Sequence, residues 1–310
     1  MKKILLSIYF FFSITIILAQ QAYYDGIDFS LNGMALKAVL SAKISSNNTP
    51  LPYTSSSYDT WDAAKGSDED PGNSNNVILF YNGQSEPKTN TVGDNNTSNP
   101  QVWNREHVFA KSLATPSLET GNPGPGTDMQ NLRACNESVN STRGNLLFTS
   151  GTGTYGVVNS NWYPGDEFKG DVARIIMYMY LRYDGNGSST AETQCLPKNV
   201  GVGTIISNDS NMIDLFLDWN AQDPVSEIEI QRNEISEDKQ GNRNPFIDNP
   251  YLATKIWGGA AAEDRWGTLG VTQIASYTFK IYPNPTNIHA ITIESLADPI
   301  KKIALYNTVG

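Results

Sequence analysis

A mixed α+β fold, largely helical, is what this sequence predicts, and three observations predict it. Apolar residues recur at helical spacing in four segments, short apolar runs of strand character stand between long polar stretches, and 25 Gly and 16 Pro among 310 residues punctuate the chain throughout. With 39% hydrophobic and 17% charged residues, the composition excludes both a membrane bundle and a highly charged disordered chain.

Taken in order, Lys2-Lys3, the apolar run 4–18 and Ala19-Gln20 read as a secretory signal peptide over residues 1–19. The run is too short and wrongly flanked for a lasting membrane span, so the expected location is secreted or at the cell surface. Residues 23–44 follow as an amphipathic helix carrying Leu31, Leu36, Val39 and Leu40. Residues 45–57, 84–100 and 115–127 are rich in Ser, Asn, Thr, Gly and Pro and read as loops, with a buried strand over 77–81 between the first two. A second strand is expected within 101–112 and a turn plus helix over 128–149. Helices are expected over 171–182 and 212–219, and a further one starts at Asp223-Pro224 and ends at Gly241. Past Trp266 the texture turns to Gly, Ala and Thr, which predicts a linker over 266–275 between a main domain, 20–265, and a small β-type module, 276–310. Cys135 and Cys195 either close one loop of about 60 residues, nominally worth ~4 kcal/mol in an exported chain, or stay as free thiols.

The chemistry concentrates in the middle of the main domain. The chain has two histidines, and His289 lies in the tail, so His107 is that domain's one imidazole, within Asn104-Arg105-Glu106-His107. On an extended strand Glu106 and His107 point to opposite faces, and converging on one site is expected to need a bend or bulge. Downstream, 128–132 and 139–145 concentrate amides and one arginine. With Glu106 they offer the hard oxygen ligands that Mg²⁺ or Ca²⁺ takes, without the thiolates or second imidazole of a zinc site.

The motifs Asn104-Arg105-Glu106-His107, Asp128-Met129-Gln130-Asn131-Leu132, Val139-Asn140 to Arg143-Gly144-Asn145, Lys169-Gly170-Asp171-Val172-Ala173-Arg174 and Gln240-Gly241-Asn242-Arg243 through Asp248 occur in the order found in the bacterial endonuclease I family, which residues 22–260 resemble. That resemblance implies a ββα-metal (His-Me) finger inside the α+β domain, one divalent cation, most readily Mg²⁺ with Mn²⁺ or Ca²⁺ as alternatives, and cleavage of DNA, and often RNA, with little sequence preference. It assigns His107 as general base and Glu106 and Asn140 as metal ligands. Some members hold the cleaved phosphate with an arginine after the histidine, but residues 113–127 contain none. Arg174 is therefore the first candidate to replace it, followed by Arg105 and Arg143, with Lys111 and Asn145 as further substrate contacts. The tail around Tyr282-Pro283-Asn284-Pro285 resembles the sorting tail of type IX secretion, with that machinery as the implied partner.

Charge tempers this picture. The formal charge of −10 becomes −12 when the leader takes Lys2 and Lys3 with it, and no global field attracts nucleic acid. Residues 101–182, however, hold seven basic and seven acidic side chains, while 209–238 hold nine acids against Arg232, expected on a solvated helical face. The competing reading is a catalytically inactive surface binding protein or adhesin on a nuclease scaffold, favoured by the acidity and the tail.

Overall fold

A computed structural model of the protein describes residues 22–94, 100–183, 199–267, 279–282 and 292–295. Contacts divide the chain into Met1–Trp266 and Gly267–Gly310. The signal-peptide segment, most of the expected linker, Cys195, residues 283–285 and 303–305 lie outside the described residues.

Among the described residues of the first unit, helices carry the core and four small antiparallel sheets decorate it. Helix α1, Gly33–Ser45, buries Leu36, Leu40 and Ile44, spaced by one turn each, so one stripe faces inward. Helix α2, Thr60–Ser67, starts on a capping box in which Asp59 accepts from Trp61 N and Asp62 N. Three strands follow, β1 Glu69–Asp70, β2 Asn73–Ile78 and β3 Ser85–Pro87, in the order β1-β2-β3. The strand expected over 77–81 ends at Ile78, because the chain turns there and Tyr81 adopts φ +72°.

Strand β4, Trp103–His107, pairs antiparallel with β5, Leu132–Asn136, from Trp103↔Asn136 to His107↔Leu132 without a register shift. Helix α3, Glu137–Arg143, leaves β5 directly, capped by Asn136 Oδ1. The expected turn plus helix over 128–149 therefore contains a strand. Arg133 obscures it in the sequence, since a buried strand position seldom carries a guanidinium. Strands β6, Gly156–Val158, and β7, Asn161–Tyr163, form a hairpin before α4, Lys169–Arg182. Every residue of α4 from Gly170 to Arg182 is buried, so this helix is the axis of the unit.

The helix expected over 212–219 starts two residues later, because β8, Ile205–Ile206, pairs with β9, Asp209–Ile213, before α5, Asp214–Gln222. Helix α6, Glu227–Gln240, begins at a Ser226–Glu229 capping box rather than at Asp223, whose carboxylate instead accepts Gly170 N at 2.8 Å. Gly241 ends it at φ +86°, the left-handed cap that glycine takes without a Cβ penalty. Two short helices, α7 Pro245–Asp248 and α8 Tyr251–Trp257, close the unit. No helix among the described residues is long and apolar enough to cross a membrane. In the second unit β10, Phe279–Tyr282, pairs antiparallel with β11, Thr292–Ser295.

The acids of 209–238 are not all on a solvated face. Glu229 is buried, and Asp209 pairs with Lys37 at 2.9 Å. A buried ionic chain runs through the middle of the unit. Arg133 reaches Asp68 (2.8 Å) and Asp171 (2.9 Å), Arg232 reaches Asp68 (2.7 Å), and Arg174 holds Glu229 (2.5 Å). Three guanidiniums thus meet three carboxylates, the condition under which charge survives burial. Burial pushes the Glu229 carboxyl up, but the Arg174 guanidinium outweighs it and holds the group below its usual range.

Candidate active site

Alternation along the unbulged strand β4 places Asn104 and Glu106 on one face and Arg105 and His107 on the other. The expected bend at Glu106-His107 is absent. On the first face, Glu106 Oε1 accepts from the Tyr81 hydroxyl at 3.0 Å and lies 3.4 Å from Arg143 Nε, an ion pair without hydrogen-bond alignment. Burial pushes the Glu106 carboxyl up to about 7, against the lowering effects of Arg143 and Tyr81. Helix α3 lies over this face, and Asn140 Nδ2 donates to Asn104 Oδ1 at 2.7 Å and to the Arg105 carbonyl at 3.4 Å. Both partners are acceptors, so the amide is turned with its NH₂ inward. Among the described residues neither Asn140 Oδ1 nor Glu106 Oε2 has a hydrogen-bond partner.

On the other face, His107 Nε2 donates to the Gly126 carbonyl at 2.7 Å. A carbonyl only accepts, so the ring is the Nε2–H tautomer and Nδ1 keeps its lone pair. Tyr53 stacks on the imidazole with centroids 5.7 Å apart at 26°. Burial pushes the imidazole down to about 4. The Gly126 carbonyl opposes this, whereas the charges of Lys111, Arg105 and Arg143 add to it. At neutral pH His107 is therefore uncharged, with its ring held by the Gly126 carbonyl. Gly126 reaches this position because it has no side chain, since a Cβ would meet the Glu119 carbonyl oxygen at 2.1 Å.

The five expected substrate contacts separate into two groups. Arg105 is flat between Tyr53 and Trp61, its Cζ 3.5 and 3.9 Å from their centroids, and donates to Tyr53 O, Thr54 Oγ1 and Thr60 Oγ1. Arg143 is fully buried and donates to the carbonyls of Val108 (2.5 Å) and Gly144 (2.9 Å), which ties α3 to the end of β4. Arg174 is fully buried against Glu229. These three guanidiniums are engaged by protein partners, and Arg174, expected first among the phosphate contacts, lies inside the fold. Lys111 and Asn145 are exposed beside the site, with Asn145 Nδ2 donating to Ser112 Oγ at 3.1 Å.

Asp128, which opens the second motif, is also structural, accepting from the hydroxyls of Tyr178 (2.8 Å) and Tyr183 (2.7 Å). Gln130 donates to Asn233 Oδ1 at 3.0 Å. Cys135 is buried and has no disulfide partner among the described residues, and Cys195, the other cysteine of the two alternatives, lies outside them. Tyr53, Tyr81 and Gly126 were not expected in the site. The sequence carries faint signals for two of them, an Asn82-Gly83 turn after an apolar run and the Gly124-Pro125-Gly126 segment.

A divalent cation fits this donor set. Glu106, a buried residue, offers a carboxylate oxygen without a hydrogen-bond partner among the described residues and Asn140 an amide oxygen likewise, both hard ligands. Among the described residues no three His, Cys, Asp or Glu side chains gather to hold an ion, so no thiolate or imidazole cage competes.

Comparison with known proteins places the chain. The family model described as Endonuclease I matches residues 32–251. An extracellular ribonuclease of Bacillus amyloliquefaciens is 42% identical over 236 residues, covering 73% of this chain and 75% of that protein. An extracellular ribonuclease of Bacillus subtilis (strain 168) is 41% identical over 246 residues, covering 76% and 78%. The family match takes in β4, β5 and α3 together with the buried ionic chain that supports them, and on that extent the protein belongs to the endonuclease I family and is a nuclease whose family generally uses a divalent metal.

Proposed function

We propose that the protein is an exported, Mg²⁺-dependent endonuclease that hydrolyses phosphodiester bonds of RNA and DNA with little sequence preference, using β4, β5 and α3 as a ββα-metal finger. The observation that carries this reading is His107, buried, neutral and fixed through Nε2, with Nδ1 free at the end of the strand that also carries Glu106. The names of the two Bacillus relatives support export and favour RNA among the substrates. We assign residues 1–19 to the signal peptide and 276–310 to a sorting module that engages type IX secretion.

In this reading the substrate phosphate lies at the C-terminal end of β4, the end that carries Glu106 and His107. His107 Nδ1 takes a proton from the attacking water while the Gly126 carbonyl and the Tyr53 ring hold the imidazole in line. The new water-oxygen–phosphorus bond forms as the bond to the 3′ oxygen breaks. Glu106 and Asn140 would hold a divalent cation, which when bound would supply positive charge to offset the charge developing on the phosphate and the leaving oxygen. Lys111 and Asn145, exposed beside the site, are the side chains we assign to the flanking backbone.

Purified protein incubated with plasmid, single-stranded DNA and RNA tests this directly. After chelation and metal stripping all cleavage should stop, and Mg²⁺ or Mn²⁺ should restore it. Glu106→Ala and Asn140→Ala should both weaken calorimetric cation binding as well as turnover, by about 10- to 100-fold or more. Undiminished cleavage in chelator sinks the mechanism.

Gly126→Ala is a second test, aimed at the base. The added methyl must displace the 119 or 126 backbone and with it the carbonyl on Nε2. Turnover should fall about tenfold or more with cation affinity unchanged. Parental turnover would show that the Gly126 carbonyl does not orient the base.

A further inference from the structure

Tyr81 occupies a backbone conformation that its residue type seldom takes. Its φ of +72° lies in the left-handed region, rare for bulky side chains, although the following Asn82 and Gly83 are the types that adopt it at little cost. The surrounding turn fixes the strain in place. Leu79 N donates to Gln84 O at 2.8 Å, Gly83 N to Leu79 O at 2.9 Å, and Phe80 N to Ala134 O on β5 at 2.7 Å. The result is a buried ring, edge-on to Trp162 at 5.3 Å, whose hydroxyl ends 3.0 Å from Glu106 Oε1. Strain of this kind persists where the rest of the structure overdetermines it, and it clusters at functional sites. Ring packing explains the aromatic body but not the buried hydroxyl.

We propose that Tyr81 is a positioning residue for Glu106. Its phenol O–H, with the Arg143 charge at 3.4 Å, engages Oε1 and leaves Oε2 as the oxygen available to a cation, so that the carboxylate binds through one oxygen. One-oxygen binding in a fixed direction suits Mg²⁺, which keeps an octahedral shell with several waters, more than Ca²⁺, which also accepts a carboxylate through both oxygens. Tyr81 thereby sets the preference of the site for the smaller ion. The proposal rests on the reading of Glu106 as a cation ligand given above.

Tyr81→Phe keeps the ring and removes only the hydroxyl. Titration calorimetry of the metal-stripped full-length protein with Mg²⁺ and, separately, Ca²⁺ should show Mg²⁺ affinity reduced about tenfold, Ca²⁺ affinity much less changed, and the Mg²⁺-over-Ca²⁺ preference reduced accordingly. At saturating Mg²⁺, kcat on a short oligonucleotide should fall while KM stays at the parental value. A thermal melt checks that the fold is intact. Parental Mg²⁺ affinity and kcat in a folded Tyr81→Phe protein would overturn the proposal, as would equal losses for both ions, the result of general loosening. Glu106→Gln is the control that separates the two readings. Parental Mg²⁺ affinity in that variant means Glu106 is not a ligand, and both readings fall, whereas its loss beside an unaffected Tyr81→Phe rejects Tyr81 alone.

Discussion

Replacing His107 by alanine should lower the cleavage rate by about 10²- to 10⁴-fold, the usual contribution of a positioned general base, with cation affinity nearly unchanged. The main domain has no second imidazole in its sequence to take over. The pH profile carries the same signature. With the folded imidazole at about 4, the base stays free well below neutrality, and its protonation should cut the rate only as pH approaches that value. The linked stability has a definite sign. Below the ordinary value of about 6.5 the unfolded chain takes up a proton that the buried ring refuses, so the contribution of His107 to stability is present above that pH and is lost as pH falls toward about 4. His107→Ala should remove that part of the acid-side slope in a urea titration series. A folded, cation-binding His107→Ala protein that cleaves at the parental rate would show that another group is the base.

The largest stability effect is expected at Arg174. Its Nε and Nη2 donate to Glu229 at 2.5 and 2.7 Å, and Nη1 donates to the Asp223 carbonyl at 2.8 Å, all inside the protein. Arg174→Ala leaves the Glu229 carboxylate buried without its partner, a loss of about 3–5 kcal/mol. For a domain of this size that lowers the melting temperature by about 10 °C. Joint replacement, Arg174→Met with Glu229→Leu, should recover much of the loss, because it removes both charges together and fills the space. Urea unfolding of the three proteins measures this. Should Arg174→Ala unfold like the parent and instead raise KM for nucleic acid, the arginine would be a phosphate contact after all.

The contrast between these two residues marks the boundary of what the sequence conveys. Features governed by neighbours along the chain were legible in it. Helical spacing located α1 and α4 to within a few residues on most ends, apart from the earlier start expected for α1. Asn104-Arg105-Glu106-His107 and Val139-Asn140 marked the family and put an imidazole, a carboxylate and an amide in consideration, because residue type alone fixes which atoms carry protons or hard oxygen lone pairs. Strand β5 was hidden, since Arg133 breaks its apolar pattern and becomes buriable only through Asp68, 65 residues earlier, and Asp171, 38 residues later.

Tertiary structure decided the rest by settling what each polar group meets. A guanidinium in a sequence is equally a phosphate contact or half of an ion pair, and the carboxylate that decides between them for Arg174 stands 55 residues away. Which nitrogen of His107 keeps its lone pair was likewise undetermined until the chain brought the Gly126 carbonyl against Nε2. Local sequence thus determined which chemistry this protein has available, and long-range packing determined which of those groups are engaged in holding the fold, because most buried polar atoms must find a partner within the protein.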